Sequence, residues 1–330
     1  MKRNFYVFSN GRLHRKENTL FFTNEKGNRK IVPIETVRSL YLFGEVDFNV
    51  KLMDFLTKHE VMLHVFNYYG YYSGSYIPRE TLLSGEVIVK QVKCFTSPSK
   101  QLPIARELID AALTNILKNL QYYQNRGRKL SSKIDAIKNL AKCLPNTKDT
   151  EEIMGLEGQI RQIYYSSFHQ IINQEIEFEK RVRRPPDNMI NTLISFGNSL
   201  LYTTTLGEIY KTQLHPTISF LHAPGYRRFS LALDISEIFK PILVDRIIFR
   251  VLNKNMISEK DFEQDLNYCY MKDKARKIFV KEYDEQLSKT IKHRKLYRHY
   301  SYRYLIRLEC YKLIKTIIEK KDYEAFRIWW

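Results

Sequence analysis

The hydrophobic pattern of this chain changes period once, near residue 81, and that change limits the folds open to it. Before it come short β-branched and aromatic runs: Phe5-Tyr6-Val7-Phe8, Thr19-Leu20-Phe21-Phe22-Thr23 and Lys30-Ile31-Val32. Turn-forming stretches, Ser9-Asn10-Gly11 and Asn24-Glu25-Lys26-Gly27-Asn28, separate them, so strands are expected. One helix is expected over 49–59, then a strand over 61–66 and a tight return at Tyr69-Gly70-Tyr71-Tyr72-Ser73-Gly74. Beyond the change, apolar residues recur at helical spacing in segments near 86–95, 103–124, 129–141, 149–180, 187–206, 230–253, 259–284 and 288–320. Ile77-Pro78-Arg79-Glu80 is the natural hinge, because proline restrains its own φ and the residue before it. Pro185-Pro186 and His215-Pro216 mark breaks between helices, and no repeat of fixed period stands out. The expected fold class is α+β: a β-rich domain over 1–76, a hinge over 77–85 and a larger all-α domain over 86–330.

A chain of 330 residues can bury a substantial core. Lys and Arg number 54 against 36 Asp and Glu, a formal net charge of +18. Such a surplus attracts polyanions, nucleic acid or an anionic membrane. No run of about 18 apolar residues reads as a membrane span, and Met1-Lys2-Arg3-Asn4-Phe5-Tyr6 does not read as an export signal. Nucleic acid is the better partner. Cys94, Cys143, Cys269 and Cys310 have neither zinc-ligand spacing nor a disulfide framework, and read as reduced thiols of a cytoplasmic protein. The charge is uneven: residues 271–330 carry 17 basic and 8 acidic side chains, half the surplus. There Lys292, Arg294, Lys295, Arg298, Arg303 and Arg307 crowd one expected helical stretch among Tyr297, Tyr300, Tyr302 and Tyr304. Two readings stand, a solvated face and a phosphate-binding block.

Four residues stand out as candidates for chemistry. Glu157 lies between Gly155 and Gly158 in an expected helix. Each helical glycine costs roughly 1 kcal/mol relative to alanine, and small neighbours let a substrate or another backbone come close. A surface glutamate near a helix start would have the same sequence. His222 precedes the turn Ala223-Pro224-Gly225 and is followed within fifteen residues by Asp234 and Glu237; a histidine satisfying a turn carbonyl is its plainer reading. Asp234 and Glu237 share one face of a helix whose neighbours are apolar. Two like charges there are expensive unless a cation or a basic partner compensates. One imidazole with carboxylates suits Mn²⁺ or Mg²⁺ rather than a structural zinc. Arg181, Arg183 and Arg184 precede Pro185-Pro186, and either contact phosphate or brace the carboxylates. No P-loop or dinucleotide-binding glycine fingerprint occurs, which argues against a nucleotide-driven motor.

At these residues the chain resembles the CRISPR-associated integrase family Cas1. The resemblance runs through the Pro78-Arg79-Glu80 hinge, Gly155-Leu156-Glu157-Gly158, the arginines and prolines of 181–186, Ser195-Phe196-Gly197, Phe220-Leu221-His222 and the Ser230–Glu237 run. Asn119-Leu120-Gln121-Tyr122-Tyr123 and Phe326-Arg327-Ile328-Trp329-Trp330 resemble the I-B-type branch. The resemblance implies an N-terminal β-sandwich, a helical C-terminal domain and a homodimer. It puts the metal residues at Glu157, His222, Asp234 and Glu237, the last in a place often held by Asp. The implied reaction joins the 3′-hydroxyl ends of a prespacer DNA to a CRISPR repeat by transesterification, with Mg²⁺ or Mn²⁺, alongside endonuclease and disintegration activity. A small partner, Cas2, is also implied. The residues alone leave a second reading, a non-catalytic DNA-binding scaffold.

Overall fold

The computed structural model describes residues 2–79, 82–176, 178, 180–182, 185–225, 229–265, 268–293, 297–319 and 321–329. The chain divides into two compact units, Met1–Thr81 and Leu82–Trp330. The first holds β1 (Arg3–Val7), β2 (Gly11–Lys16), β3 (Thr19–Asn24), β4 (Arg29–Pro33), β5 (Val37–Leu42), β6 (Val46–Asp47), α1 (Val50–Lys58), β7 (Met62–Phe66) and β8 (Tyr72–Tyr76). Among the described residues they form two four-stranded sheets, ordered β1-β5-β7-β8 and β4-β3-β2-β6. The first mixes parallel pairs, β1 with β5 and β5 with β7, with the antiparallel return of β8 on β7. One apolar cluster draws on both sheets: Leu40, Leu42 and Leu63 from one, Leu13, Leu20 and Val32 from the other. Leu52, Phe55 and Leu56 of α1 complete it, and the Asn49 side chain caps that helix by accepting the Leu52 N–H at 3.1 Å. Strand alternation turns Tyr41 and His64 to the opposite face of the first sheet. There their rings lie 4.8 Å apart and Tyr6 stacks on Tyr41.

The second unit is mostly helical. It runs α2 (Gly85–Phe95), α3 (Pro98–Gln124), α4 (Ser131–Ala141), α5 (Thr150–Tyr165), α6 (Phe168–Ile171), α7 (Met189–Ile209), α8 (Ser230–Phe239), α9 (Arg246–Asn253), β9 (Phe262–Asp265), β10 (Tyr268–Met271), α10 (Asp273–Ser288), β11 (Thr290–Lys292), β12 (His299–Ser301) and α11 (Tyr302–Glu319). Two expected helices are therefore partly strand. The span 259–284 opens with the hairpin β9–β10, and the basic block near 288–320 opens with the hairpin β11–β12. In both, β-prone residues such as Tyr268, Tyr270, Thr290 and Ile291 prevail over a helical reading of the charges. The expected helix 149–180 stops as α5 at Tyr165. All four cysteines are free thiols. No helix among the described residues is long and apolar enough to cross a membrane.

The centre of this unit is α7, buried on nearly every side from Met189 to Ile209, as an almost all-apolar helix must be. It packs against α8 and α11. Glu208, buried near its end, is paired with Lys211 at 3.4 Å and with Arg307 of α11, whose Nε donates at 2.7 Å. Between α8 and α9 the helix widens to a π turn over Lys240–Asp245. Pro241 has no N–H to give the ladder, and the turn expands around it. Two carbonyls of this stretch are met by α3: Asn115 Nδ2 donates to Ile238 O at 3.0 Å and Asn119 Nδ2 to Pro241 O at 2.8 Å.

A non-helical segment over 321–329 lies along α3. Glu107 takes the Arg327 guanidinium at 2.6 and 2.7 Å, Ile328 N–H donates to Asn115 Oδ1 at 2.8 Å, and Phe326 stacks on Phe239 with ring centroids 5.7 Å apart. Gly197 explains the tightness of the centre. A Cβ there would lie 2.5 Å from Val244 Cγ1 and 3.0 Å from the Phe279 ring. Gly197→Ala should therefore cost about 1–3 kcal/mol through overpacking, measured as a lower denaturation midpoint at unchanged m-value.

Candidate active site

The helix α5 starts at Asp149, whose carboxylate accepts the Glu152 N–H at 2.8 Å. That start puts Glu157 and Arg161 one turn apart on one face. Arg161 Nε donates to Glu157 Oε1 at 2.7 Å, and its Nη2 donates to Glu237 Oε2 on α8 at 2.6 Å. One guanidinium thus joins two carboxylates from remote parts of the chain. Lys240 binds the other oxygen of Glu237. Glu157 keeps 19% of its side chain exposed and Glu237 only 5%. Burial alone would raise the Glu237 carboxyl, but Lys240 and Arg161, followed by His222, outweigh it and hold it at about 2. Glu237 is therefore an anion at every pH of interest.

His222 and Asp234 form the adjoining half. Asp234 is fully buried, and its two oxygens gather four donors. Oδ2 accepts the N–H groups of Phe220 at 2.6 Å and Leu221 at 2.9 Å; Oδ1 accepts the N–H of His222 at 3.0 Å and meets its Nδ1 at 2.8 Å. Three successive amides clasped by one carboxylate fix the loop, and the ring contact turns His222 so that Nε2 is the nitrogen left to act. Burial works to lower the His222 pKa, but the hydrogen bond and charge of Asp234 raise it above its ordinary value, and Glu237 adds to the rise. The two halves are thus near enough to feel each other.

Beneath them lies Asp245, at the end of the π turn. It is buried, and its carboxyl is pushed up to about 6 by burial against the pull of Arg161 and Tyr164. Asp245 Oδ2 and Arg161 Nη1 are buried without a hydrogen-bond partner. Gly155 and Gly158 look onto open space, since a Cβ on either would meet nothing within 4 Å. The face of α5 beside Glu157 is therefore bare.

The expense of two buried carboxylates on α8 is thus met by different means for each. Glu237 has Arg161 and Lys240; Asp234 has backbone amides and an imidazole. Among the described residues, no three His, Cys, Asp or Glu side chains stand close enough to hold a metal ion. The donors nevertheless fit a hard divalent cation in kind: two anionic carboxylates, an imidazole presented through Nε2, and an unpartnered buried carboxylate oxygen behind them.

Arg181 is engaged at the start of α7, where its guanidinium donates to Asn191 Oδ1 at 3.0 Å and Ser195 Oγ at 2.9 Å. As a phosphate contact it would have to give these up. Arg298 is exposed at the foot of the β11–β12 hairpin, its carbonyl taking the His293 N–H at 2.8 Å. Arg183, Arg184, Arg294 and Lys295 lie outside the described residues. Sequence reasoning did not single out Arg161, Lys240 or Asp245. The first two had a signal in their i+4 and i+3 spacing from Glu157 and Glu237. Asp245 had none, because its place depends on the π turn.

Comparison with known proteins gives the family of the chain. The family described as "CRISPR associated protein Cas1" matches residues 5–285. The chain belongs to the Cas1 family. The CRISPR-associated endonuclease Cas1 of Fusobacterium nucleatum is 52% identical over 330 residues, covering 100% of this chain and 98% of the relative. A Cas1 protein from Thermotoga maritima, solved as TM1797, superposes with a TM-score of 0.87 at 39% identity, over 98% of this chain and 100% of that one. A casposase bound to its integration product shares the fold, with a TM-score of 0.89 at 22% identity over 100% of this chain and 95% of that one. The family is one of CRISPR-associated endonucleases, and this chain is a member of it. Asp234→Ala would strip a buried acceptor from three amides and the imidazole, each loss costing about 1–3 kcal/mol. It should lower stability by several kcal/mol, whereas His222→Ala should melt close to the parent; thermal unfolding of the pair checks this.

Proposed function

We propose that this protein is a divalent-metal-dependent DNA integrase of CRISPR adaptation, with endonuclease and disintegration activity at the same site. The observation that carries the reading is the meeting of Glu157 and Glu237 on Arg161, beside a histidine oriented by Asp234. Glu157, His222 and Glu237 would hold Mg²⁺ or Mn²⁺. Asp234, with four donors already on its oxygens, is the positioning residue for His222. A bound divalent ion would supply charge stabilisation at a phosphoryl oxygen.

The remaining work falls to the chain's own groups. Asp234 keeps the His222 proton on Nδ1. Arg161 and Lys240 hold Glu237 anionic in a buried setting and limit the repulsion between carboxylates. The bare glycine face of α5 allows a DNA backbone close approach to Glu157. In the reaction the 3′-oxygen of the incoming strand bonds to the phosphorus at the edge of the repeat, which keeps its 5′-oxygen link to the repeat, and the 3′-oxygen of the flanking strand leaves. One proton is released and one taken up, and one phosphodiester replaces another, so no nucleotide is consumed. With water as nucleophile the same displacement is hydrolysis. The assembly proposed around it is cytoplasmic: a homodimer acting with Cas2 on prespacer and repeat DNA. The segments 119–123 and 326–330 support an I-B-like branch.

One observation favours a second reading, the non-catalytic DNA-binding scaffold. Glu157 and Glu237 are already neutralised by side chains, which a site without metal would also require. Strand transfer of a 3′-hydroxyl DNA into a leader–repeat substrate decides between them, with the small partner added. The integrase gives a covalent branched product with Mg²⁺ or Mn²⁺ that EDTA abolishes and fresh metal restores. Glu157→Ala, His222→Ala and Glu237→Ala should each lose about 100-fold or more in rate, while thermal melts of the Glu157 and His222 variants stay near the parent. Undiminished transfer by all three would sink the reading; salt-sensitive binding with no product under any metal would favour the scaffold. Charge reversal at Arg294, Lys295 and Arg298 together should weaken DNA binding and flatten its salt dependence. The log-log slope should fall by roughly one unit for each phosphate left unneutralised, read from a fluorescence titration series.

A further inference from the structure

A second concavity of the helical unit lies away from Glu157 and His222. It has a volume of about 910 Å³ and is lined by the end of α3 and the turn after it, by α9, and by the end of α10 with β11. That size is within the range of small-ligand sites. Among the described residues lining it, seven are lysine or arginine and none is aspartate or glutamate. So many like charges around one hollow repel each other, and an anion in the hollow relieves that repulsion.

The cations are held rather than loose. Arg246 Nε donates to Asn119 Oδ1 at 2.7 Å. Asn119 is buried and its amide donates in turn to Tyr164 Oη at 3.1 Å and to Pro241 O at 2.8 Å. The guanidinium is thus fixed through a buried polar chain. Arg250 is set by Glu282 at 3.0 Å and by Gln286 at 3.2 Å. Arg126 lies over the Tyr122 ring, 4.4 Å from its centroid, and Tyr122 is 45% exposed. Partial burial, and then the nearby Arg250, draw the Lys289 ammonium below its ordinary pKa. Fixed donors, an aromatic edge and a lining without carboxylates, with Glu282 holding Arg250 from outside it, make a preorganised anion site. Arg246 follows Glu237 by nine residues of one helical run, roughly 13 Å along its axis, so this hollow is separate from the candidate active site.

We infer that the hollow binds the phosphate groups of a nucleotide-sized ligand, either a free nucleotide or the 5′-phosphorylated end of a single strand. Titration calorimetry of the intact chain tests this, in EDTA and at low salt, with inorganic triphosphate, ATP and a 5′-phosphorylated thymidine tetranucleotide as probes. At least one nucleotide probe should bind one to one, and Arg126→Glu with Lys289→Glu should weaken it ~10-fold or more. The same pair changed to glutamine, Arg126→Gln with Lys289→Gln, gives the answer if the reversed pair fails to fold. Lys51→Glu with Lys58→Glu, an equal change of net charge on the exposed side of α1, should stay within ~2-fold of the parent. Tighter ATP assigns the free nucleotide, and a tighter tetranucleotide assigns the strand end. Binding of none of the probes, binding of triphosphate alone, or an equal loss in the α1 variant overturns the inference. Glu157→Ala should bind as the parent does, so failure of the integrase reading would leave this result untouched.

Discussion

Arg161 is the residue on which the rest of the site depends. It lies one turn from Glu157 on α5 and reaches across to Glu237 on α8, 76 residues further along the chain. Bringing two carboxylates and a guanidinium out of water is costly, and their mutual attraction offsets the cost only when the geometry is good. Here the partners are at 2.6 and 2.7 Å, and Lys240 supplies the second positive charge. The arrangement holds α5 against α8 with charge as well as apolar contact. Loss of the guanidinium alone would leave the buried Glu237 and the half-buried Glu157 facing each other without it. A cation seated between the carboxylates would compete with Arg161 for the same oxygens, so packing and chemistry are coupled at this one side chain.

The π turn supports that arrangement from below. Pro241 forbids a regular ladder, and the wider turn moves Asp245 under Arg161 while Lys240 stays on Glu237. Asn115 and Asn119, four residues apart on α3 and so on one face, hold the turn by donating to Ile238 O and Pro241 O. A distortion that would otherwise weaken a buried helix thus gives the site two of its charged groups.

Much of this was legible in the sequence. The change of period near residue 81 separated a β-rich stretch from a helical one, and Glu157, His222, Asp234 and Glu237 drew notice through glycine, a turn and a shared helix face. What could not be read was pairing. Asp234 and Glu237 looked equivalent, yet one is enclosed by the amides of residues 220–222 and the other by Arg161 and Lys240. That difference arises from tertiary contacts with no local pattern. Strands β2 and β5 were missed because Arg12, His14 and Lys16 dilute the apolar alternation in one, and Arg38 and Ser39 in the other. The β11–β12 hairpin was missed because its charges suit an exposed helix equally well. There Tyr297 takes a φ of 52° that no local residue type announces.

The strap of residues 323–328 along α3 bears on how the protein comes into being. Phe326 covers Phe239 at the end of the helix that carries Glu237, and Asn115 binds both that helix and the strap. A ribosome delivers these covering residues long after it has delivered α8. Until they emerge, the Phe239 end of α8 lacks the ring of Phe326, so this part of the apolar core is completed only once the strap has been made. A chain that stops short of the strap therefore leaves Phe239, two residues beyond Glu237, without its stacked partner.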